Sequence, residues 1–194
     1  SRGLGDVYKR QMFSLFLDVL VLRLYEEEKL YEFARNSKIP IINGLTNESH
    51  PCQVLTDIFT FQEFRGSISG KKVVWLGVAN NVFKSFLHAA VALKFQIVFS
   101  GPLKFQPGEK MLEFIQNHNS DILTIEPNPV VAVDSADLVV TDKWVSMHDN
   151  QLPKSDIDDL ASYRVTKKLL AFARTDVLFM PVSYTHLRAH ETKR

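Results

Sequence analysis

The stretch "ESHPCQVLTDIFTF" (48–61) places a histidine, a proline, the chain's only cysteine and a glutamine directly ahead of a run with helical apolar spacing. As helix-start chemistry it is complete. With His50 at the N-cap, Pro51 falls at the first helical position, where its missing N–H costs nothing, and Gln53 falls at the capping-box position. The same residues also suit an anion, because a helix N-terminus offers unpaired N–H groups at the positive end of its dipole, and His50 and Gln53 add donors beside it. Spacing alone leaves both readings open. Cys52 shares the helix start, but without a placed base it is not read as a nucleophile.

Two further groups carry candidate chemistry. In "TDKWVSMHD" (141–149), Asp142, Ser146 and Met147 follow a strand-like run. A carboxylate there can pair with an ammonium, and a hydroxyl with the following backbone N–H groups can take a carboxylate. Asp142 as a helix cap is the equal alternative. "WLGVANN" (75–81) invites a dinucleotide reading, yet only Gly77 is present where G-x-G-x-x-G needs three, so a nicotinamide or flavin enzyme is disfavoured. Asn80 or Asn81 then reads as a helix cap. The chain holds no G-x-S-x-G, no P-loop, no H-E-x-x-H and no cysteine pair for zinc. His88 and His118 stand apart on helix candidates and read as surface or packed residues.

These residues need elements to position them, and the sequence alternates strand-like and helix-like segments. "DVLVLRLY" (18–25), a helix over 26–36 and the short strand "IPIING" come first, followed by a helix from Pro51 to Arg65 and the turn "GSISG". "KKVVWLG", "FQIVFSG", "DILTIE", "ADLVVTD" and "DVLFM" are five further strand candidates. The helices between them include one with Val82, Phe86, Ala90 and Leu93 on its apolar face, one near 107–118, one near 128–134, and the run "YRVTKKLLAFA". This alternation predicts an α/β fold with a parallel sheet covered by helices on both faces, in which Gly77 and Asp142 end strands at the same edge. A boundary is expected at "GSISG", leaving residues 12–65 as a part with a poor core of its own.

At 194 residues, with 45% hydrophobic and 23% charged side chains, the chain has the size of one to two domains. The net charge of +1 gives no basic excess for nucleic acid. The apolar stretch Phe13 to Leu24 contains Asp18 and Arg23 and is too short to cross a bilayer, and nothing resembles a signal peptide. One cysteine allows no internal disulfide, which fits a reducing compartment, so a cytoplasmic location without membrane contact is expected. The ends read differently from the rest. "DVYKRQ" (6–11) and "VSYTHLRAHET" (182–192) look like translations of the two arms of a transposon-based sequencing adapter, so residues 1–11 and 182–194 are expected to be non-native. His186 and His190 are set aside with them. Removing the six Lys/Arg and two Asp/Glu of these ends leaves a net charge of −3.

The three groups in this order resemble the aspartate/ornithine carbamoyltransferase family, through nearly all of residues 12–180. "HPCQ" is similar to the family's H-P-x-Q segment, shared by both branches, and "TDKWVSM" to the ornithine-side T-D-x-W-x-S-M. The resemblance implies a carbamoyl-phosphate-binding part over 12–65 and a Rossmann-like ornithine-binding domain over 66–181. It implies that Arg23, His50 and Gln53 hold the carbamoyl group and its phosphate, with Arg23 and His50 also stabilising the oxyanion of the transfer. Asn81, Asp142, Ser146 and the Met147 backbone would bind the amino acid head of ornithine. No metal or organic cofactor and a homotrimeric parent protein are implied as well. Three departures accompany it: the family's S-x-R-T-R loop and H-C-L-P segment are absent from the chain, and "GVANN" stands where the family commonly reads G-D-G-N-N. The chain by itself is therefore expected to be inactive. Val78, in place of a carboxylate, leaves a carbamoyltransferase for another amine, or a non-catalytic binding module, as alternatives.

Overall fold

The computed structural model describes residues 12, 15–142 and 153–182. Its first part is one β-α-β unit. Strand β1 (Leu20–Arg23), helix α1 (Glu27–Arg35) and strand β2 (Ile41–Leu45) form a two-stranded parallel sheet with its crossover helix. Leu22 pairs with Asn43 but Arg23 with Leu45, so Gly44 is an extra residue and the register shifts just before Arg23. Such a bulge bends a strand and re-aims the side chain beside it. The sheet is only half covered, with Val21 and Ile42 exposed. Helix α2 (Pro51–Arg65) follows, with the bounds expected from its sequence.

The second part is a five-stranded parallel sheet built from β3 (Lys72–Leu76), β4 (Gln96–Ser100), β5 (Leu123–Ile125), β6 (Leu138–Thr141) and β7 (Leu178–Pro181). Its spatial order is β5-β4-β3-β6-β7. The chain winds outward from β3 through β4 to β5, then returns to the other side of β3 with β6 and β7. The point of reversal lies between β3 and β6, where Leu76 pairs with Thr141. Alternating residues serve two faces. Val73, Trp75, Ile97, Phe99, Leu138 and Val140 pack on one side with α2, with α3 (Asn81–Leu93) and with Ile115 of α4 (Glu109–His118). Val74, Leu76, Val98 and Val139 pack on the other with α5 (Pro129–Val133) and with Leu169 of α7 (Lys167–Leu170). Runs of buried β-branched residues without polar alternation follow directly from this two-sided cover.

Val54, Ile58 and Phe61 of α2 lie in the same apolar cluster as Trp75 and Phe83, so the helix that ends the first part is anchored in the core of the second. Two features depart from the sequence pattern. Helix α6 (Lys154–Ala161) is an addition to the expected elements, since "KSDIDDLA" offers only Ile157 and Leu160 as an apolar stripe. Leu93, expected on the buried face of α3, is 37% exposed, because the helix ends there and Lys94 turns left-handed at φ 59°. No helix among the described residues is long and apolar enough to cross a membrane.

Candidate active site

The site is assembled from the carboxyl ends of four strands, two from each parallel sheet. Arg23 closes β1, the loop 46–50 follows β2, Gly77 follows β3 and Asp142 follows β6. Gly77 has φ 121°, which favours glycine. A Cβ on Gly101 would lie 2.0 Å from the Gly77 carbonyl oxygen, so the loops after β3 and β4 can approach this closely only without side chains. In open parallel sheets the crevice at the reversal of strand order is where ligands bind, and Gly77 and Asp142 flank that crevice.

The two helix starts that face this edge differ. Helix α3 is capped by its own chain: Asn80 Oδ1 accepts the N–H groups of Val82 and Phe83, both at 3.1 Å. The Asn80 amide also donates to Asp142 Oδ2 at 2.7 Å, so this residue is both cap and positioner of the carboxylate. Helix α2 is not capped in the expected way. His50 occupies the N-cap and Pro51 the first turn, but no side chain caps this end. Gln53 does not reach back to the His50 N–H. Its Nε2 donates instead to Asp57 Oδ1 at 2.9 Å, and the His50 N–H donates to Ser85 Oγ at 2.8 Å. The capping-box expectation is corrected accordingly: a buried carboxylate one turn on and a hydroxyl from α3 compete better for these groups.

Three contacts tie the loop 46–50 to α3. Asn81 Nδ2 donates to the Thr46 carbonyl at 2.7 Å, Ser85 Oγ accepts from His50 and donates to the Asn81 carbonyl at 2.9 Å, and Lys84 pairs with Glu48 at 2.7 Å. Ser85, Thr46 and Asp57 were not singled out in the sequence. Two of them stand four residues after a residue that was, Asp57 after Gln53 and Ser85 after Asn81, and helical spacing was the available signal. Cys52 Sγ donates to the Asn43 carbonyl at 3.3 Å and so takes a packing role.

The electrostatics bring the groups together. Burial and the nearby Arg23 guanidinium hold the His50 imidazole below its ordinary pKa, while Asp142 pulls it back up. His50 is thus neutral at neutral pH, and its Nδ1 is buried without a partner. Asp57, 8% exposed, is pushed up to about 6 by burial, against the lowering hydrogen bond from Gln53, with Asp142 adding to the rise. Arg23 is exposed at the end of its strand. Arg23 and Asp142, at the ends of strands in two different sheets, thus both act on His50, Gln53 sits in the helix turn that starts there, and Asn81 holds the loop 46–50, whereas Ser146 and Met147 lie outside the described residues. His88 and His118 pack on the Phe114 ring, His88 stacked with centroids 4.1 Å apart and His118 tilted at 4.3 Å. Among the described residues no group of three His, Cys, Asp or Glu is gathered to hold a metal.

A doubly covered parallel sheet with convergent polar groups at its switch point defines an α/β ligand-binding protein with a two-part site. Comparison with known proteins makes this specific. Residues 69–183 match the aspartate/ornithine carbamoyltransferase Asp/Orn-binding domain, and residues 6–63 match the carbamoyl-phosphate-binding domain of the same family. The chain belongs to the aspartate/ornithine carbamoyltransferase family. It is 44% identical over 183 residues to an ornithine carbamoyltransferase of Ruegeria pomeroyi, covering 94% of this chain and 59% of that protein. It is 44% identical over 171 residues to that of Paracoccus denitrificans, covering 88% and 55%. Among solved structures, ornithine carbamoyltransferase from Burkholderia thailandensis superposes with a TM-score of 0.79 at 35% identity, over 92% of this chain and 57% of the other. The Pyrococcus furiosus enzyme gives 0.82 at 32%, over 93% and 58%. The chain thus spans little more than half the length of these relatives.

Proposed function

We propose that the protein to which this chain belongs transfers the carbamoyl group of carbamoyl phosphate to the side-chain amine of L-ornithine, forming citrulline and phosphate. The observation that carries this reading is the convergence of Arg23 and Asp142, from the strand ends of two sheets, on His50, close enough that both charges act on the imidazole. In this reading Arg23, His50 and Gln53 hold carbamoyl phosphate, while Asn81, Asp142, Ser146 and Met147 hold the ornithine head group. The neutral amine attacks the carbamoyl carbon, a C–N bond forms and the carbonyl π electrons move to oxygen; the oxyanion then re-forms the carbonyl as the C–O bond to phosphate breaks, and the leaving phosphate takes the proton lost by the nitrogen. Arg23 supplies positive charge and a neutral His50 supplies one N–H to the developing oxyanion, whose stabilisation is often the main source of rate in acyl transfer. Holding two small substrates at one edge supplies much of the rest. The mixed anhydride of carbamoyl phosphate already activates the acyl group, so this scheme uses no cofactor.

Residues 12–65 are read as the end of a carbamoyl-phosphate domain and 66–181 as the ornithine domain, with 1–11 and 182–194 as non-native ends. The two family matches, 6–63 and 69–183, support the boundary near residue 66 and run a few residues into the segments read as non-native. A cytoplasmic homotrimer is proposed for the complete protein. The test uses the full-length protein from the uninterrupted reading frame. Citrulline formation with ornithine should exceed carbamoylation of other amines, and His50→Ala should lower turnover. The 194-residue chain alone should make none. Faster carbamoylation of another amine would overturn the ornithine assignment.

A further inference from the structure

Asp57 takes no part in the scheme above, yet it is the one described carboxylate placed on a buried helix face, among Val54, Ile58 and Phe61. Its Oδ2 is buried without a hydrogen-bond partner, an arrangement that costs folding free energy and calls for a role. Its other oxygen, Oδ1, accepts from Gln53 Nε2 at 2.9 Å. We propose that Asp57 is a positioning residue: it fixes which way the Gln53 amide faces, and so makes the site select an acyl phosphate whose acyl group carries an N–H donor.

Given the functional reading above, on which this inference rests, the selection follows from donors and acceptors. An ionised carboxylate can only accept, so the Gln53 group beside it must be NH2. The amide oxygen lies on the opposite side of the same carbon and therefore faces away from Asp57, on the helix turn that begins at His50. That turn otherwise offers donors: its unpaired backbone N–H groups. A phosphate is served by donors, but the NH2 of a carbamoyl group requires an acceptor, and Gln53 Oε1 is the acceptor this turn provides. Acetyl phosphate has the same phosphate and carbonyl but a methyl in place of NH2, and would leave that oxygen unpaired. If Asp57 is protonated, it can instead donate to Gln53 Oε1, and the amide is free to turn over. Burial and Asp142, the charged group acting on it from the end of β6, bring this protonation up to about pH 6.

The test measures dissociation constants of carbamoyl phosphate and acetyl phosphate for the full-length protein by calorimetry. The unsubstituted protein should prefer carbamoyl phosphate, and the preference should shrink as pH falls from 8 to 5. The two ligands have closely similar phosphate titrations, which largely cancel in the ratio. Asp57→Asn, which can accept or donate toward Gln53, should cut the ratio about fivefold or more at pH 8, with acetyl phosphate binding little changed, and should remove the pH dependence of the ratio. Gln53→Met should cut it equally, and the double variant no further. Asp57→Leu, with no polar group to bury, repeats the test should Asp57→Asn fold poorly. A ratio unchanged in Asp57→Asn and Asp57→Leu while Gln53→Met loses it overturns the inference. No carbamoyl phosphate binding by the unsubstituted protein would instead overturn the functional reading.

Discussion

Asp137 and Asp142 flank the same four-residue strand, β6, and are put to opposite uses. At the amino edge of the sheet, Asp137 is neutralised within its own fold. Its Oδ2 accepts the Lys72 N–H at 2.9 Å, and its Oδ1 lies 3.6 Å from Lys71 Nζ and 3.4 Å from Arg174 Nε. At the carboxyl edge, Asp142 is held by the Asn80 amide and acts on His50 and Asp57 across the crevice. One end of the sheet pairs its carboxylate with cations. The other holds its carboxylate with the Asn80 amide and sets it beside His50, whose imidazole is held low, and Asp57, which is pushed up to about 6. Balanced charge lowers the energy of the fold, whereas polar groups that serve a ligand raise it, so in the proposed reading the two ends divide stability from chemistry.

The sharpest way to expose the cost at the carboxyl edge is through pH. Asp57 has a folded-state pKa of about 6 against 3.8 for the ordinary carboxyl. The fold favours its protonated form, so its contribution to stability is best below about pH 4 and is lost as pH rises through about 6. The full shift corresponds to roughly 3 kcal/mol. His50, held low, gives the opposite slope over an overlapping window, so the comparison must be between variants. Urea unfolding of the 194-residue chain should show Asp57→Asn gaining on the unsubstituted chain from about pH 4.5 to about pH 7.5. A difference that stayed flat would mean that Asp57 titrates as an ordinary carboxyl.

Next in size is the contrast between the two ends themselves. Asp137→Ala leaves the Lys72 N–H and two cations without their partner, and should cost about 2–3 kcal/mol of unfolding free energy. Asp142→Asn should leave the denaturation midpoint nearly unchanged and weaken ornithine binding in the full-length protein by about 1–3 kcal/mol, on the order of 5- to 150-fold. Reversal of these two outcomes would exchange the roles assigned to the two edges. Asn80→Ala removes a cap and the amide that holds Asp142, so it should lose about 1 kcal/mol of stability and weaken ornithine binding as well. The smallest effect belongs to the partly exposed Lys84–Glu48 pair. Its removal by Lys84→Ala should change stability by less than about 1 kcal/mol, since Asn81 and Ser85 continue to hold the loop 46–50 on α3.

Local pattern was enough for most of the architecture. Strand β3, strand β6 and helix α2 are continuous segments whose burial and period are written in adjacent residues, and both faces of the sheet follow from uninterrupted runs such as "KVVWL". The reading of "HPCQ" and "TDKWVSM" as binding segments came by resemblance, and the common edge of Gly77 and Asp142, which follow adjacent strands, by the rule that parallel strands of one sheet end together. Pairings between distant segments were not legible, since Ser85 against His50, Asn81 against Thr46 and Asn80 against Asp142 join residues 35, 35 and 62 apart. Nor was the fate of Gln53, for which two local partners competed. Capping at the His50 N–H and bonding to Asp57 are equally within reach along an isolated helix. Only burial of Asp57 against the core decides between them, because an unpaired carboxylate there is costlier than an uncapped helix end left to solvent or ligand. The strands, the helices between them and their parallel sheet were thus determined by the sequence itself, whereas the spatial order of the strands and the choice of partner for each polar group were made by the tertiary structure, which alone sets how much each group stands to lose by going without.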